Sequence, residues 1–246
     1  MSKLKSSIKY LIKTTLGRGE ASASVKSYAL NSGERQVASH LEGIRQDHRL
    51  RYELAVRLLR ENGVSKNVIL DCFCGNGYGS RILSEVSQDC MIIGIDASAE
   101  AITQAREHYQ SAQTWFMQDI FPFSLPHCKF EAVVSLESLE HIKDYNLFFS
   151  TLCDAVRPSG CIVLSTPNQR IMPLERNHFK FHQKHFLPEE IDAMLAKQGI
   201  TLKAIWGQNC YVLESGSIAS ILPADYMGLE PDDRDAQFQI YFGVKN

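Results

Sequence analysis

Five short apolar runs rich in β-branched residues punctuate the chain: NVILDCF (67–73), CMIIGID (90–96), TWFMQD (114–119), FEAVVSL (130–136) and GCIVLST (160–166). Near-continuous apolar runs of this length predict strands covered on both faces, as parallel strands are. The cover is helical. Stretches at 45–61, 78–86, 98–110, 144–156 and 188–198 precede, separate or follow the runs, and the last is opened by Pro188, Glu189 and Glu190 and closed by Gly199. This alternation predicts a doubly wound α/β sheet with helices on both faces. TLKAIWGQ (201–208) and FQIYFGV (238–244) follow with no long helix between them. The expected sheet is therefore seven-stranded, Rossmann-like and mostly parallel, ending in a C-terminal antiparallel hairpin.

Residues 41–246 carry this pattern as one domain, within the size that a single core can fill. Ahead of it, residues 1–19 hold Lys3, Lys5, Lys9, Lys13 and Arg18 and no acid, although the whole chain carries a net charge of −2. Leu4, Ile8, Leu11, Ile12 and Leu16 fall on one helical face beside a lysine stripe. The segment predicts a basic amphipathic helix, suited either to packing on a protein surface or to lying on an anionic membrane. Residues 20–40, rich in Ala, Ser and Gly, read as a linker. The seven cysteines are odd in number and contain no CxxC pair, which favours reduced thiols. With no apolar run of the roughly 20 residues that cross a bilayer and no signal peptide, the expectation is a cytoplasmic protein. Residues 1–19 offer it peripheral contact with the inner face of the membrane. The acidic body leaves no basic footprint, so nucleic acid is not an expected partner.

The first strand runs into Asp71-Cys72-Phe73-Cys74-Gly75-Asn76-Gly77-Tyr78-Gly79 before the next helix, the place where a doubly wound sheet binds its ligand. Glycines there allow a sharp turn and close approach of ligand to backbone, or serve packing alone. A dinucleotide loop would carry GxGxxG, and the third glycine is here one place early. The second strand ends in Asp96, placed to accept from both hydroxyls of a ribose. The third ends in Asp119, able to accept from an exocyclic amine or to cap a turn.

In order and spacing these residues resemble the class I S-adenosylmethionine-dependent methyltransferases. The resemblance spans about residues 33–210 and implies S-adenosylmethionine as cofactor. It implies that Asp71 and the loop residues Gly75 and Gly77 hold the amino-acid end, Asp96 the ribose and Asp119 the adenine amine. Cys74, Ala97, Ile120 and Leu136 are expected beside them at the cofactor. Phe73 stands where the family usually has its first loop glycine. Gly33-Glu34-Arg35 and His48-Arg49-Leu50-Arg51-Tyr52 resemble segments of a bacterial group associated with polysaccharide and lipopolysaccharide assembly, and there form a helical lid. This makes Arg51 and Tyr52 candidate contacts; an amphipathic helix packed on the sheet is the alternative.

Glu137, Glu140 and His141 follow the fourth strand, where a helical turn would bring them together. His141 is the candidate general base, with Glu137 or Glu140 orienting it. The ExxEH run with a later histidine also resembles small-RNA terminal 2′-O-methyltransferases, which implies a divalent metal on Glu137, Glu140, His141 and His182. Metal-bound, metal-free and purely structural readings all stand. Segments 167–186 and 209–236 are expected to build the acceptor pocket. The function expected is methyl transfer to a hydroxyl of a saccharide or lipid-linked saccharide. The alternatives are a small-molecule O-methyltransferase and a methyltransferase-like binding module without turnover.

Overall fold

The computed structural model describes residues 36–246 apart from Ser124, Pro126 and Cys128. The basic helix expected at 1–19, most of the 20–40 linker and Gly33–Arg35 lie outside the described residues. The linker's last five residues, 36–40, are irregular or bent rather than helical, and the carbonyl of Ala38 accepts from Asn76 Nδ2 (2.8 Å) and Tyr109 Oη (2.8 Å). Packing contacts of the domain thus reach Ala38, ahead of the expected boundary at 41.

Five helices, α1 (Gln46–Glu61), α2 (Tyr78–Leu83), α3 (Ala99–His108), α4 (Tyr145–Ala155) and α5 (Pro188–Lys197), occupy the expected stretches. Their starts are fixed locally. Ser98 accepts from Ala101 N–H at 3.2 Å, Asp144 from Leu147 N–H at 3.2 Å, and Glu190 reaches back to Leu187 N–H at 2.9 Å. Each satisfies backbone donors that a helix N-terminus would otherwise leave unpaired.

The strands are β1 (Lys66–Cys72), β2 (Asp89–Asp96), β3 (Thr114–Gln118), β4 (Phe130–Leu136), β5 (Val156–Pro167), β6 (Ile200–Gln208), β7 (Tyr211–Glu214), β8 (Ser217–Ile221), β9 (Leu229–Pro231) and β10 (Phe238–Lys245). The main sheet runs β3-β2-β1-β4-β5-β10-β6-β9, parallel from β3 to β5 and antiparallel beyond. It has eight strands where seven were expected, because β9 adds a three-residue edge against Trp206–Gln208. A segment that short has no period to read. The expected hairpin partners β6 and β10 do pair, and β10 also pairs with β5, so it lies between them. The separate β7-β8 hairpin turns through Ser215 (φ 51°) and Gly216 (φ 83°), both left-handed as a tight hairpin turn requires.

Alternation along the strands divides the core. Ile69, Ile92, Val134 and Val163 pack with Leu59 of α1, Ile82 of α2 and Ile102 of α3. Their neighbours Leu70, Ile93, Val133 and Leu164 pack on the other face with Phe148 of α4 and Leu195 of α5. Fully burying each such side chain stabilises by roughly 1.5–3 kcal/mol. Strand order reverses between β1 and β4, so the chain leaves these two strands in opposite directions and opens a crevice at their carboxyl ends.

Candidate functional site

That crevice is a cavity of about 490 Å³, lined at one end by the turns after β1 and β2 and at the other by those after β4 and β5. At the first end Asp96 is buried, its Oδ2 accepting from Gly75 N–H at 3.0 Å and its Oδ1 from Ser98 N–H at 2.8 Å. The carboxylate therefore clasps the glycine turn while lining the cavity. Gly75 has φ 57°, and a Cβ there would meet no atom within 4 Å, so the backbone faces open cavity. Gly77 differs. At φ 91° it starts α2, and a Cβ would lie 2.8 Å from both Ala105 Cβ and the Phe116 ring. Its lack of a side chain serves packing.

Cys74, Gly75, Asp96, Ala97 and Leu136 line the cavity, but Asp71, Gly77, Asp119 and Ile120 do not. Asp71 is 0% exposed behind the wall, where Tyr52 Oη donates to it at 3.1 Å and Ser80 Oγ at 2.6 Å. Burial, with Asp96 nearby, pushes its carboxyl up to about 7 against the two hydrogen bonds. Tyr52 in turn packs flat against Gly79, where a Cβ would fall 2.0 Å from Cζ. Asp119 ties the ends of β3 and β2 together: its N–H donates to Asp96 O at 3.1 Å, and its carboxylate accepts from Ile120 N–H at 2.9 Å.

Phe73 adopts φ 61°, which strains a residue with a Cβ by about 1–2 kcal/mol. Its ring stacks on Phe148 at 5.2 Å and meets the edge of Phe123 at 6.3 Å. Such aromatic pairs offset that strain by about 0.5–1.5 kcal/mol each.

At the far end the expected convergence is rearranged. Glu137 sits at φ 50°, which turns it away from the single 3₁₀ turn Leu139–His141 that follows. It accepts from Ser165 Oγ at 2.5 Å and lies 3.6 Å from Arg51 Nη1. Burial raises its pKa while Arg51 and Ser165 oppose the rise. Glu140, His141 and His182 are the residues brought together, each offering one ligand-capable atom within 4.8 Å of the others. Glu137 lines the cavity but is not part of that group; Ser165 and Arg51 hold its carboxylate instead. Glu140 is 0% exposed, with a carboxylate oxygen 3.9 Å from His141 Nε2. His141 Nδ1 donates to Phe181 O at 3.3 Å, and the His141 and His182 rings meet edge-on at 4.6 Å. Phe179 stacks on His182 at 4.3 Å. Burial and the neighbouring imidazoles push His182 down to about 2, and burial also lowers the 2%-exposed His185.

A buried frame centred on Arg51 holds this end. Arg51, 2% exposed, donates to Gln208 Oε1 at 2.6 Å, lies 3.6 Å from Asp47 Oδ2 and covers the Phe238 ring at 4.3 Å. Asp47 is gripped by Arg45 at 2.6 and 2.7 Å. Burial opposes the Asp47 charge, but Arg45, His48 and Arg51 hold its carboxyl well below the usual range. Of this frame the sequence offered only Arg51, named with Tyr52 as a candidate contact, and both do line the cavity; its partners at 47, 137 and 208 were not foreseen.

Residues 45–205 match the family model of the methyltransferase domain, and that match covers more than half of the chain. The chain belongs to the class I S-adenosylmethionine-dependent methyltransferases. It is 26% identical over 184 residues to a Mycolicibacterium smegmatis protein described as a probable S-adenosylmethionine-dependent methyltransferase, covering 71% of this chain and 68% of that one. It is 26% identical over 157 residues to a ubiquinone biosynthesis O-methyltransferase of Hydrogenovibrio crunogenus, covering 57% and 64%. The fold superposes on magnesium protoporphyrin IX methyltransferase from Synechocystis, solved with bound SAH, at a TM-score of 0.58 and 16% identity, covering 98% of this chain and all of that one. An S-adenosylmethionine-dependent methyltransferase from Mesorhizobium loti aligns at 0.60 and 16% identity over 78% of this chain and 96% of that one.

S-adenosylmethionine is the cofactor of this methyltransferase, and the first end of the cavity fits it: the glycine turn faces open space, and a buried carboxylate lines the wall beside it. No helix among the described residues is long and apolar enough to cross a membrane.

Proposed function

We propose that this methyltransferase is an O-methyltransferase acting on a hydroxyl of a small molecule. The observation that carries the reading is one cavity with Asp96 and Gly75 at one end and His141 at the other. S-adenosylmethionine supplies an electrophilic methyl group on sulfur. Asp96 accepts from the ribose hydroxyls, and Gly75, Cys74, Ala97 and Leu136 form the floor and walls around the cofactor. Asp71 acts from behind, fixing Tyr52 and Ser80 under the turn, and Gly77 lets the turn enter α2. Asp119 and Ile120 stand at the outer edge, toward the adenine side.

His141 takes the proton of the attacking hydroxyl at Nε2 as the oxygen gains the methyl group, because Nδ1 keeps its own proton toward Phe181 O. Phe181 O orients that ring, and the Glu140 carboxylate, 3.9 Å from Nε2, stabilises the imidazolium that forms. Glu137 pairs with Arg51 to fix that part of the cavity lining. Positioning the hydroxyl in line with the methyl group supplies the rest of the rate. A relative that is a ubiquinone biosynthesis O-methyltransferase supports oxygen as the atom methylated.

A second reading has Glu140, His141 and His182 holding a divalent cation that acidifies the hydroxyl, favoured by the 4.8 Å convergence of their ligand atoms. Saccharide acceptors rest on the resemblance of residues 33–35 and 48–52, and membrane contact on the basic stretch 1–19. Flotation with anionic vesicles tests that contact, and a full-length chain that stays at the bottom of the gradient removes it.

The deciding experiment is calorimetric titration with S-adenosylmethionine, followed by transfer of labelled methyl to phenolic and sugar acceptors with and without chelator. Micromolar binding and label on oxygen support the reading. Label on nitrogen or sulfur alone overturns the O-methyl assignment, and activity lost to chelator and restored by metal moves it to the second reading.

A further inference from the structure

His182 and His185 are not accounted for by a single base. His185 is buried at 2% exposure, and its Nδ1 lies 2.6 Å from the backbone oxygen of Met172. A carbonyl can only accept, so His185 carries its proton on Nδ1. Its Nε2, 2.8 Å from His182 Nδ1, must then accept, and His182 carries its proton on Nδ1 as well. The lone pair of His182 is thereby assigned to Nε2. The ring is clamped between Phe179, stacked at 4.3 Å, and the edge of His141 at 4.6 Å, and it lines the cavity. His141 reaches the same state by its own bond to Phe181 O. Two neighbouring imidazoles that line the cavity, each with its Nδ1–H fixed by a protein partner, offer it Nε2 acceptors rather than N–H donors.

We propose that His182, locked in its Nδ1–H form by the positioning residue His185, is a second hydrogen-bond acceptor beside His141 and selects a methyl acceptor with two vicinal hydroxyl groups. One hydroxyl meets His141 and reacts; its neighbour donates to His182 and sets which oxygen is methylated. A single hydroxyl leaves His182 Nε2 without its donor, a cost of about tenfold in affinity for one lost neutral hydrogen bond. The specificity rests on the O-methyl reading above, whereas the tautomer assignment does not.

The experiment is long-range ¹H–¹⁵N NMR on the ¹⁵N-labelled full chain saturated with S-adenosylhomocysteine. At neutral pH His182 gives the Nδ1–H pattern. Catechol or cis-cyclohexane-1,2-diol then shifts His182 Nε2 and binds about tenfold tighter than phenol or cyclohexanol respectively. The two diols separate a phenolic from a saccharide-like source of the same chemistry. His185→Leu scrambles the tautomer and erases the preference for diols while calorimetric affinity for S-adenosylmethionine is kept. His185→Gln restores both, because its amide can donate to Met172 O and accept from His182. An Nε2–H His182 in the wild type, equal binding of diols and mono-ols, or stoichiometric Zn²⁺ uptake at His182 that blocks the diols overturns the proposal. Loss of S-adenosylmethionine binding in the wild type would instead sink the methyltransferase reading, leaving the tautomer result standing.

Discussion

The two ends of the cavity are built in opposite ways. The cofactor end is made by backbone and one short stretch of chain: Gly75 N–H meets Asp96 across adjacent parallel strands, and the turn's open side is a missing Cβ. The acceptor end is made by side chains from four distant segments, with Arg51 and Asp47 from α1, Glu137 to His141 after β4, Phe179 to His185 after β5, and Gln208 ending β6. A site made by strand ends is inherited with the fold, whereas one made by remote side chains can be rebuilt for a new acceptor without touching the sheet. Variants at the two ends should therefore separate cofactor affinity from turnover.

The largest effect is expected at His141. In its proposed role as base, His141→Ala should lower turnover by roughly 10²–10⁴-fold, with S-adenosylmethionine affinity unchanged. Single-turnover methyl transfer beside calorimetry checks it, and unchanged turnover would take His141 out of the chemistry.

Arg51→Met comes next. It leaves Asp47 and Glu137 without their buried cation, which costs about 3–5 kcal/mol of stability. Arg51→Met/Glu137→Gln should recover part of that loss in denaturant unfolding. A double variant no more stable than the single one would mean that Glu137 does not depend on Arg51.

Asp96→Ala attacks the other end. It deletes a carboxylate that bonds Gly75 and Ser98 and, in the proposed role, the ribose. Cofactor affinity should fall by about 10–100-fold, the worth of one or two charge-assisted hydrogen bonds. Near-normal affinity would place the ribose elsewhere and weaken the contrast between the ends.

The same contrast decides what was legible. The parallel strands announce themselves as apolar runs because both faces are buried, and the Asp71–Gly79 turn because its geometry demands glycine. Asp96 follows from strand order. Glu137 was misplaced because its left-handed backbone cannot be read from residue spacing, which presumes a regular helical turn. Arg51 carries no local sign that its partners lie at 47, 137 and 208. Nor does any period show that His185 would orient His182, a bond that depends on the loop folding back under Met172. Asp71 was legible as a position, but its depth behind the wall was not, because burial depends on Tyr52 lying across Gly79.

That depth gives the smallest predicted effect and the cleanest probe of the cofactor end. Asp71 titrates near 3.8 unfolded and about 7 in the fold. The folded state therefore holds its proton more tightly, and this contribution to stability is fully present below about pH 4 and lost as pH rises through about 7. Above pH 7 a charge stays buried with only Tyr52 and Ser80 to solvate it. Asp71→Asn keeps an oxygen for one of these hydroxyls and an amide donor for the other, and it removes the charge. The variant should gain roughly 2–4 °C in Tm at pH 8, about what 1 kcal/mol gives in a chain of this size, and little or nothing at pH 4. Its cofactor affinity should match the wild type, because Asp71 does not line the cavity. A variant whose Tm gain is the same at both pH values would show that the carboxylate is not strained by burial. A loss of affinity at constant Tm would bring Asp71 forward from behind the wall to the cofactor itself.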